Sequence, residues 1–105
     1  MQLTTEKIED LIGRIVEAVH PERIILFGSA ARGEINRYSD IDVLVVAQDG
    51  SHRRKTAQTI YRKLLGFGLS VDVVVATPSD LDLYRDSPGL IYREALREGK
   101  ELYVA

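Results

Sequence analysis

The chain has 105 residues and a mass of 11.8 kDa, the size of one ordinary domain and too short for two separate cores. With 45% apolar and 29% charged residues it can bury a core, which excludes a disordered chain, and a net charge of −2 leaves no electrostatic footprint for holding a long nucleic acid unaided. The absence of cysteine excludes a disulfide scaffold, thiol catalysis and thiolate metal sites, and no apolar run approaches the ~20 residues of a membrane-spanning helix.

The N-terminal stretch is acidic and amphipathic, unlike the basic-then-apolar order of a signal peptide, so a cytoplasmic, membrane-free domain covering residues 1–105 is expected. Ile8, Leu11, Ile12, Ile15, Val16 and Val19 recur at helical spacing, which predicts a helix capped by Thr4 or Thr5 and ended by Pro21. Arg23–Phe27 is a short apolar run between Pro21 and Gly28, hence a buried strand. A polar connection follows from Gly28 to Asp40, then a second strand over Ile41–Ala47, rich in β-branched residues and closed by Asp49-Gly50. Residues 52–66 return to helical spacing, with Ala57, Ile60, Tyr61, Leu64 and Leu65 on one side. Val71–Val75 is a third strand, and Pro78-Ser79-Asp80 opens a short helix around Leu81, Leu83 and Tyr84. After Pro88-Gly89, Leu90, Ile91, Ala95 and Leu96 predict a further helix ending near Gly99, with Glu101–Val104 as a last short strand.

That order predicts an α/β (α+β) fold, a mixed sheet of three to four strands flanked by helices. The direction of each strand pair stays open, because the connection from Phe27 to Ile41 suits either a crossover or an antiparallel return.

Three features stand apart from core-building. Gly28-Ser29 directly follows a buried strand. A glycine there lets the backbone turn sharply, and a helix starting at Ser29 would aim free N–H groups at an anion; equally, Ser29 suits a plain N-cap. Asp40-Ile41-Asp42 stands at the mouth of the second strand, where residues two apart share a face and lie roughly 7 Å apart along the backbone. Aspartate is depleted in strands and like charges repel, so the pair either meets solvent or brackets a cation. Asp72 interrupts a run of valines, where an unpaired buried carboxylate is expensive. If its strand neighbours 41–47, Asp72 joins the acidic pair, and a hard cation such as magnesium relieves the crowding of carboxylates. A phosphate cradle followed by three carboxylates is the equipment of two-metal phosphoryl or nucleotidyl transfer.

Gly28-Ser29, ten residues, then Asp40-Ile41-Asp42 resembles the G-S-x10-D-x-D signature of the DNA polymerase beta nucleotidyltransferase superfamily. The stretches Phe27–Glu34 and Ser39–Val45, and the closing Ala95–Tyr103, are similar to its minimal nucleotidyltransferase branch of antitoxin type, across nearly the whole chain. The resemblance implies a polymerase beta-like palm with Gly28, Ser29 and Arg32 on ATP or another nucleoside triphosphate, and with Asp40, Asp42 and Asp72 as catalytic residues and ligands of two Mg2+ ions. Ala30 stands where many relatives carry arginine, removing one phosphate contact, and Arg32 has a neighbouring carboxylate or backbone as its other destination. The resemblance further implies a helical HEPN-type toxin as partner, with AMP transferred to one of its tyrosines. Two other functions fit the same features: a non-catalytic antitoxin acting by stoichiometric binding, and a small-molecule nucleotidyltransferase, whose usual extra helical domain has no room here. A chain this short leaves the acceptor surface to a second copy in a homo-oligomer or to a different protein.

The basic run His52-Arg53-Arg54-Lys55 opens a helix, where cations oppose the dipole, and it reads either as a solvated helix start or as a guide for an anion. His20 reads as a surface residue after the first helix, and neither histidine has a partner at metal-ligand spacing. Among the scattered tyrosines, Tyr38 is the one placed beside Asp40.

Overall fold

The computed structural model describes residues 3–33, 41–84 and 91–105. Helix α1 covers Thr5–Val19; the Thr4 hydroxyl caps it by accepting from the Lys7 N–H at 3.1 Å. It ends at His20, which takes the left-handed conformation (φ 46°) and returns its N–H to the Val16 carbonyl before Pro21 diverts the chain. Strands β1 (Arg23–Phe27) and β2 (Ile41–Val46) pair antiparallel. Helix α2 (Arg53–Lys63) crosses over to β3 (Val71–Ala76), which runs parallel to β2, as a helical crossover allows. Helices α3 (Pro78–Tyr84) and α4 (Ile91–Glu98) follow, and β4 (Lys100–Val104) returns antiparallel to β1. The mixed sheet has the order β3-β2-β1-β4.

Strand alternation divides the core. Ile24, Leu26, Val43, Val45, Val73 and Val75 face α1 and α2, meeting Leu11, Ile15 and Ile60. Ile25, Phe27, Leu44, Val46 and Ala76 face the other way, against Leu81 of α3 and Ala95 of α4. A central strand buried on both faces needs apolar residues at every position, and Val43 through Val45 are fully buried. Each such side chain contributes about 1.5–3 kcal/mol of burial. Gly99 joins α4 to β4 where a Cβ would lie 2.3 Å from the Ala95 carbonyl oxygen and 2.5 Å from Ile25 Cγ2.

Helix α2 departs from expectation at its rim. Ile60 is fully buried, but Tyr61 is 41% and Leu65 77% exposed. The helix stops at Lys63, and Arg14 of α1 donates to the carbonyls of Lys63 and Leu65, both at 3.0 Å. That arrangement satisfies acceptors the helix end leaves over and turns Leu65 outward.

A capping box starts α3: the Asp80 N–H donates to the Thr77 hydroxyl, and the Thr77 N–H donates to the Asp80 carboxylate at 3.0 Å. The bond from the Thr77 N–H, reinforced by the Thr77 hydroxyl and by Arg53, holds the Asp80 carboxyl below its ordinary value. A depressed folded pKa contributes stability above the ordinary carboxylate pKa, lost as pH falls through the folded one. Asp80→Asn is therefore expected to flatten the acid limb of the stability curve between about pH 5 and pH 2, read by thermal unfolding across pH. An unchanged slope would show that other carboxylates govern acid unfolding.

Candidate active site

Phe27, the last residue of β1, pairs with Asp42 of β2, and Asp42 pairs in turn with Asp72 of β3. Asp42 shares a strand face with Leu44 and Val46, and Asp72 shares one with Val74 and Ala76. All four of these neighbours pack on the α3–α4 side, so both carboxylates project from that same face. Adjacent strands stand ~4.8 Å apart, which sets two carboxylates side by side at the end of the sheet where β1 finishes and β2 and β3 begin. Asp42 is half-buried and Asp72 exposed. Like charges at directly opposed register positions weaken strand pairing, so nothing in the architecture of the sheet asks for this pair.

Gly28 continues the row from Phe27. Its φ of +72° is a left-handed conformation, and a Cβ on it would lie 2.5 Å from Asp42 Oδ2. Glycine is thus required twice, for the turn and for the carboxylate that occupies the space of a side chain. A single 3₁₀ turn follows over Gly28–Ala30, closed by bonds from the N–H groups of Ala31, Arg32 and Gly33 to the carbonyls of Gly28, Ser29 and Ala30. Phe27, not Ser29, holds the cap position, and no side chain caps the turn. The reading of Ser29 as a plain N-cap therefore fails.

Arg32 pairs with Glu94 of α4 at 3.8 Å, with both side chains about half exposed (48% and 46%). That is the carboxylate destination weighed from the sequence, in a long, solvated contact of little strength. Asp40 and Tyr38 lie outside the described residues. Among the described residues no group of three His, Cys, Asp or Glu side chains gathers at a metal-binding distance. Asp42 and Asp72 supply two hard oxygen donors of the three expected, a set suited to magnesium and unsuited to softer ions.

Sequence reasoning missed Tyr61. Its hydroxyl accepts from the Val73 N–H at 2.8 Å and reaches Asp72 Oδ1 at 3.4 Å. Tyr61 thereby covers the outer edge of β3 and steadies the exposed carboxylate. The signal in the sequence was a tyrosine at the rim of an amphipathic helix, a residue whose hydroxyl seeks a polar partner when its ring is half-covered. Tyr61→Phe is expected to lower stability by about 1 kcal/mol, because the Val73 N–H loses its acceptor. It should also lower turnover several-fold with nucleotide affinity unchanged; steady-state kinetics beside a denaturant titration tests both, and full turnover would leave Tyr61 as an edge cover alone.

The basic run lies elsewhere. His52 caps α2, its Nδ1 accepting from the Lys55 N–H at 3.2 Å, and Arg53 pairs with Asp80 at 2.9 Å. These residues stand at the C-terminal ends of β2 and β3, at the opposite end of the sheet from Asp42 and Asp72. The cavity there, about 590 Å³, is lined by Asp49, His52, Arg53, Arg54 and Asp80 among others; Arg53 pairs with Asp80, and Asp49 accepts from the Ser79 N–H at 3.1 Å. Neither Asp42 nor Asp72 lines it. His20 is exposed, as expected.

A family model described as "Nucleotidyltransferase domain" matches residues 6–101. A provisionally named protein adenylyltransferase, MJ1305 of Methanocaldococcus jannaschii, is 36% identical over 70 residues, 62% of this chain and 48% of the relative. The match thus spans about half the length of that relative. Among solved structures, a mutant of the toxin–antitoxin MntA-HpeT superposes with a TM-score of 0.70 at 20% identity, covering 93% of this chain and 73% of that one. A toxin–antitoxin with AMP-PNP gives a TM-score of 0.67 at 24% identity, with the same coverage. A provisionally named nucleotidyltransferase from Sulfolobus solfataricus gives 0.64 at 19% identity, covering 94% and 78%. These structures share the fold, and with it the mixed sheet and its flanking helices.

Proposed function

Because this chain belongs to the nucleotidyltransferase domain family, on a match over residues 6–101, we propose that it transfers AMP from ATP to a hydroxyl group, the acceptor being a tyrosine of a helical HEPN-type partner toxin. The single observation that carries the reading is the row Gly28, Asp42, Asp72 across three neighbouring strands, with glycine demanded by the Asp42 carboxylate itself. The adenylyl donor is supported by the protein adenylyltransferase among the relatives and by the AMP-PNP complex among the structural neighbours. The toxin partner is supported by the toxin–antitoxin neighbours.

In this reading the turn at Gly28 and Ser29 binds the triphosphate through backbone N–H groups and the Ser29 hydroxyl. Asp40, Asp42 and Asp72 would hold two magnesium ions, which would neutralise the charge that develops on the phosphates. Asp72 receives the proton of the acceptor hydroxyl, and Tyr61 keeps its carboxylate at the strand edge. Arg32, about half exposed beside Glu94, supplies a further cation for the phosphates. No helix among the described residues is long and apolar enough to cross a membrane.

Incubation with α-labelled ATP, magnesium and the product of the neighbouring gene is expected to label that partner. Labelling that survives Asp40→Ala with Asp42→Ala would sink the mechanism. Neutralisation of the toxin by that double variant without nucleotide would favour a stoichiometric antitoxin instead.

A further inference from the structure

We propose that the apolar cleft bounded by Val74, Tyr84, Ile91 and Tyr92 is the acceptor subsite and holds the aromatic ring of a phenolic acceptor beside Asp72; this inference rests on the adenylyl-transfer reading above. The cleft encloses about 320 Å³ between the end of α3, the start of α4 and strand β3. Val74 follows Asp72 by two residues, so both side chains leave the same face of β3, roughly 7 Å apart along the strand. A phenol ring seated on Val74 spans that step and delivers its hydroxyl to the carboxylate.

The strand order decides which reactant belongs there. Across β1, β2 and β3, Gly28 lies on one side of Asp42 and Asp72 on the other. Phosphoryl transfer sets the attacking and leaving oxygens roughly in line. With the triphosphate at Gly28 and Ser29, the leaving pyrophosphate occupies the β1 side and the acceptor oxygen must arrive from the β3 side. The cleft is on the β3 side. There the phenol oxygen forms a bond to the α-phosphorus, the bond from that phosphorus to the bridging oxygen breaks, pyrophosphate departs, and the phenol proton passes to Asp72.

The lining selects for an aromatic occupant. Tyr84 and Tyr92 present rings 6.5 Å apart and tilted by 42°, beside two branched aliphatic side chains. Tyr84 is 39% and Ile91 41% exposed, apolar surface that gains by being covered. A serine or threonine side chain would leave the cleft unfilled. A nucleobase would carry its ring nitrogens and exocyclic groups into a cleft whose polar side-chain groups, among the described residues, are two tyrosine hydroxyls.

The test uses the intact protein with 4-methylphenol as probe. Saturable shifts of the Val74 and Ile91 methyl signals are expected in NMR titration, weakened about tenfold or more in Ile91→Trp, which fills the mouth of the cleft. The same variant should raise the KM for a tyrosine-containing acceptor by about tenfold, with affinity for a non-hydrolysable ATP analogue unchanged. Tyr92→Phe, which keeps the ring, should bind the probe as the native protein does. Absent methyl shifts while label still moves from ATP to the partner would overturn the subsite and leave the adenylyl-transfer reading standing. Methyl shifts produced by the ATP analogue, and lost with its affinity in Ile91→Trp, would assign the cleft to the base and overturn the proposal. Phenol binding with no transfer to any hydroxyl would overturn the acceptor role through failure of the reading beneath it.

Discussion

Asp42→Asn and Asp72→Asn, made singly, are each expected to reduce adenylyl transfer by about 10³-fold, the scale seen when one preorganised charged group is taken from a reacting centre. Asp72→Asn should also raise stability in the absence of metal, by about 0.5 kcal/mol. The reason is the register: Asp42 and Asp72 stand directly opposite on parallel strands, and like charges in that position oppose pairing. Neutralising either one removes the repulsion without changing the volume of the side chain. Magnesium should reverse the order, since a cation bound between the carboxylates stabilises the native chain by mass action and the single-carboxylate variants bind it weakly. Thermal unfolding with and without millimolar magnesium, beside initial rates with labelled ATP, measures all of this. Transfer within tenfold of the native rate in both variants would remove the pair from the chemistry. Loss of stability in Asp72→Asn without metal would make that carboxylate structural.

Gly28→Ala is expected to abolish transfer as completely as Asp42→Asn does, and to destabilise the chain as well. A residue with a Cβ held at φ +72° bears a strain of about 1–2 kcal/mol. The added methyl would also sit 2.5 Å from Asp42 Oδ2, so the carboxylate must swing away. Gly33→Ala separates the two effects. Gly33 has a similar φ of +75° with nothing among the described residues within 4 Å of the added Cβ, so its variant should lose a comparable stability and keep most of its transfer. Urea titration and initial rates on both variants make the comparison. Equal losses of transfer at Gly28 and Gly33 would assign the effect to turn strain and free Gly28 from any contact with the acidic pair.

Much of this molecule was legible along the chain. The strands announced themselves as short β-branched runs, because a sheet covered on both faces needs apolar residues at every position, as in Val43-Leu44-Val45. Helix α1 was legible through its apolar stripe and its Thr4 cap, both local in origin. The aspartates were conspicuous as charges within strands, and Gly28-Ser29 as a sharp turn directly behind one. The rim of α2 was less legible: Tyr61 and Leu65 continue its apolar spacing, yet the helix stops at Lys63, Leu65 faces outward and Tyr61 turns its hydroxyl to the edge of β3. Spacing reports which residues could share a face, but not where a neighbouring helix ends its cover.

By itself, then, the sequence determined the inventory: the strands and helices, the glycine turn and the isolated carboxylates, because propensity, capping and periodicity act over a few residues. Tertiary structure alone decided adjacency. Whether Asp72 neighbours Asp42 depends on β3 pairing with β2 in parallel and in register Asp42↔Asp72, a contact across about thirty residues of chain that local preferences do not encode. The antiparallel return of β2 on β1 likewise brought Asp42 beneath Gly28, and only that approach shows the glycine to be demanded by a carboxylate as well as by a turn. The Tyr61 contact with Asp72 and the cleft beside Val74 arise in the same way, where helices pack onto one end of the sheet. Side-chain chemistry was readable position by position; its concentration at one sheet end is a property of the folded chain, in which long-range pairing overrides local preference.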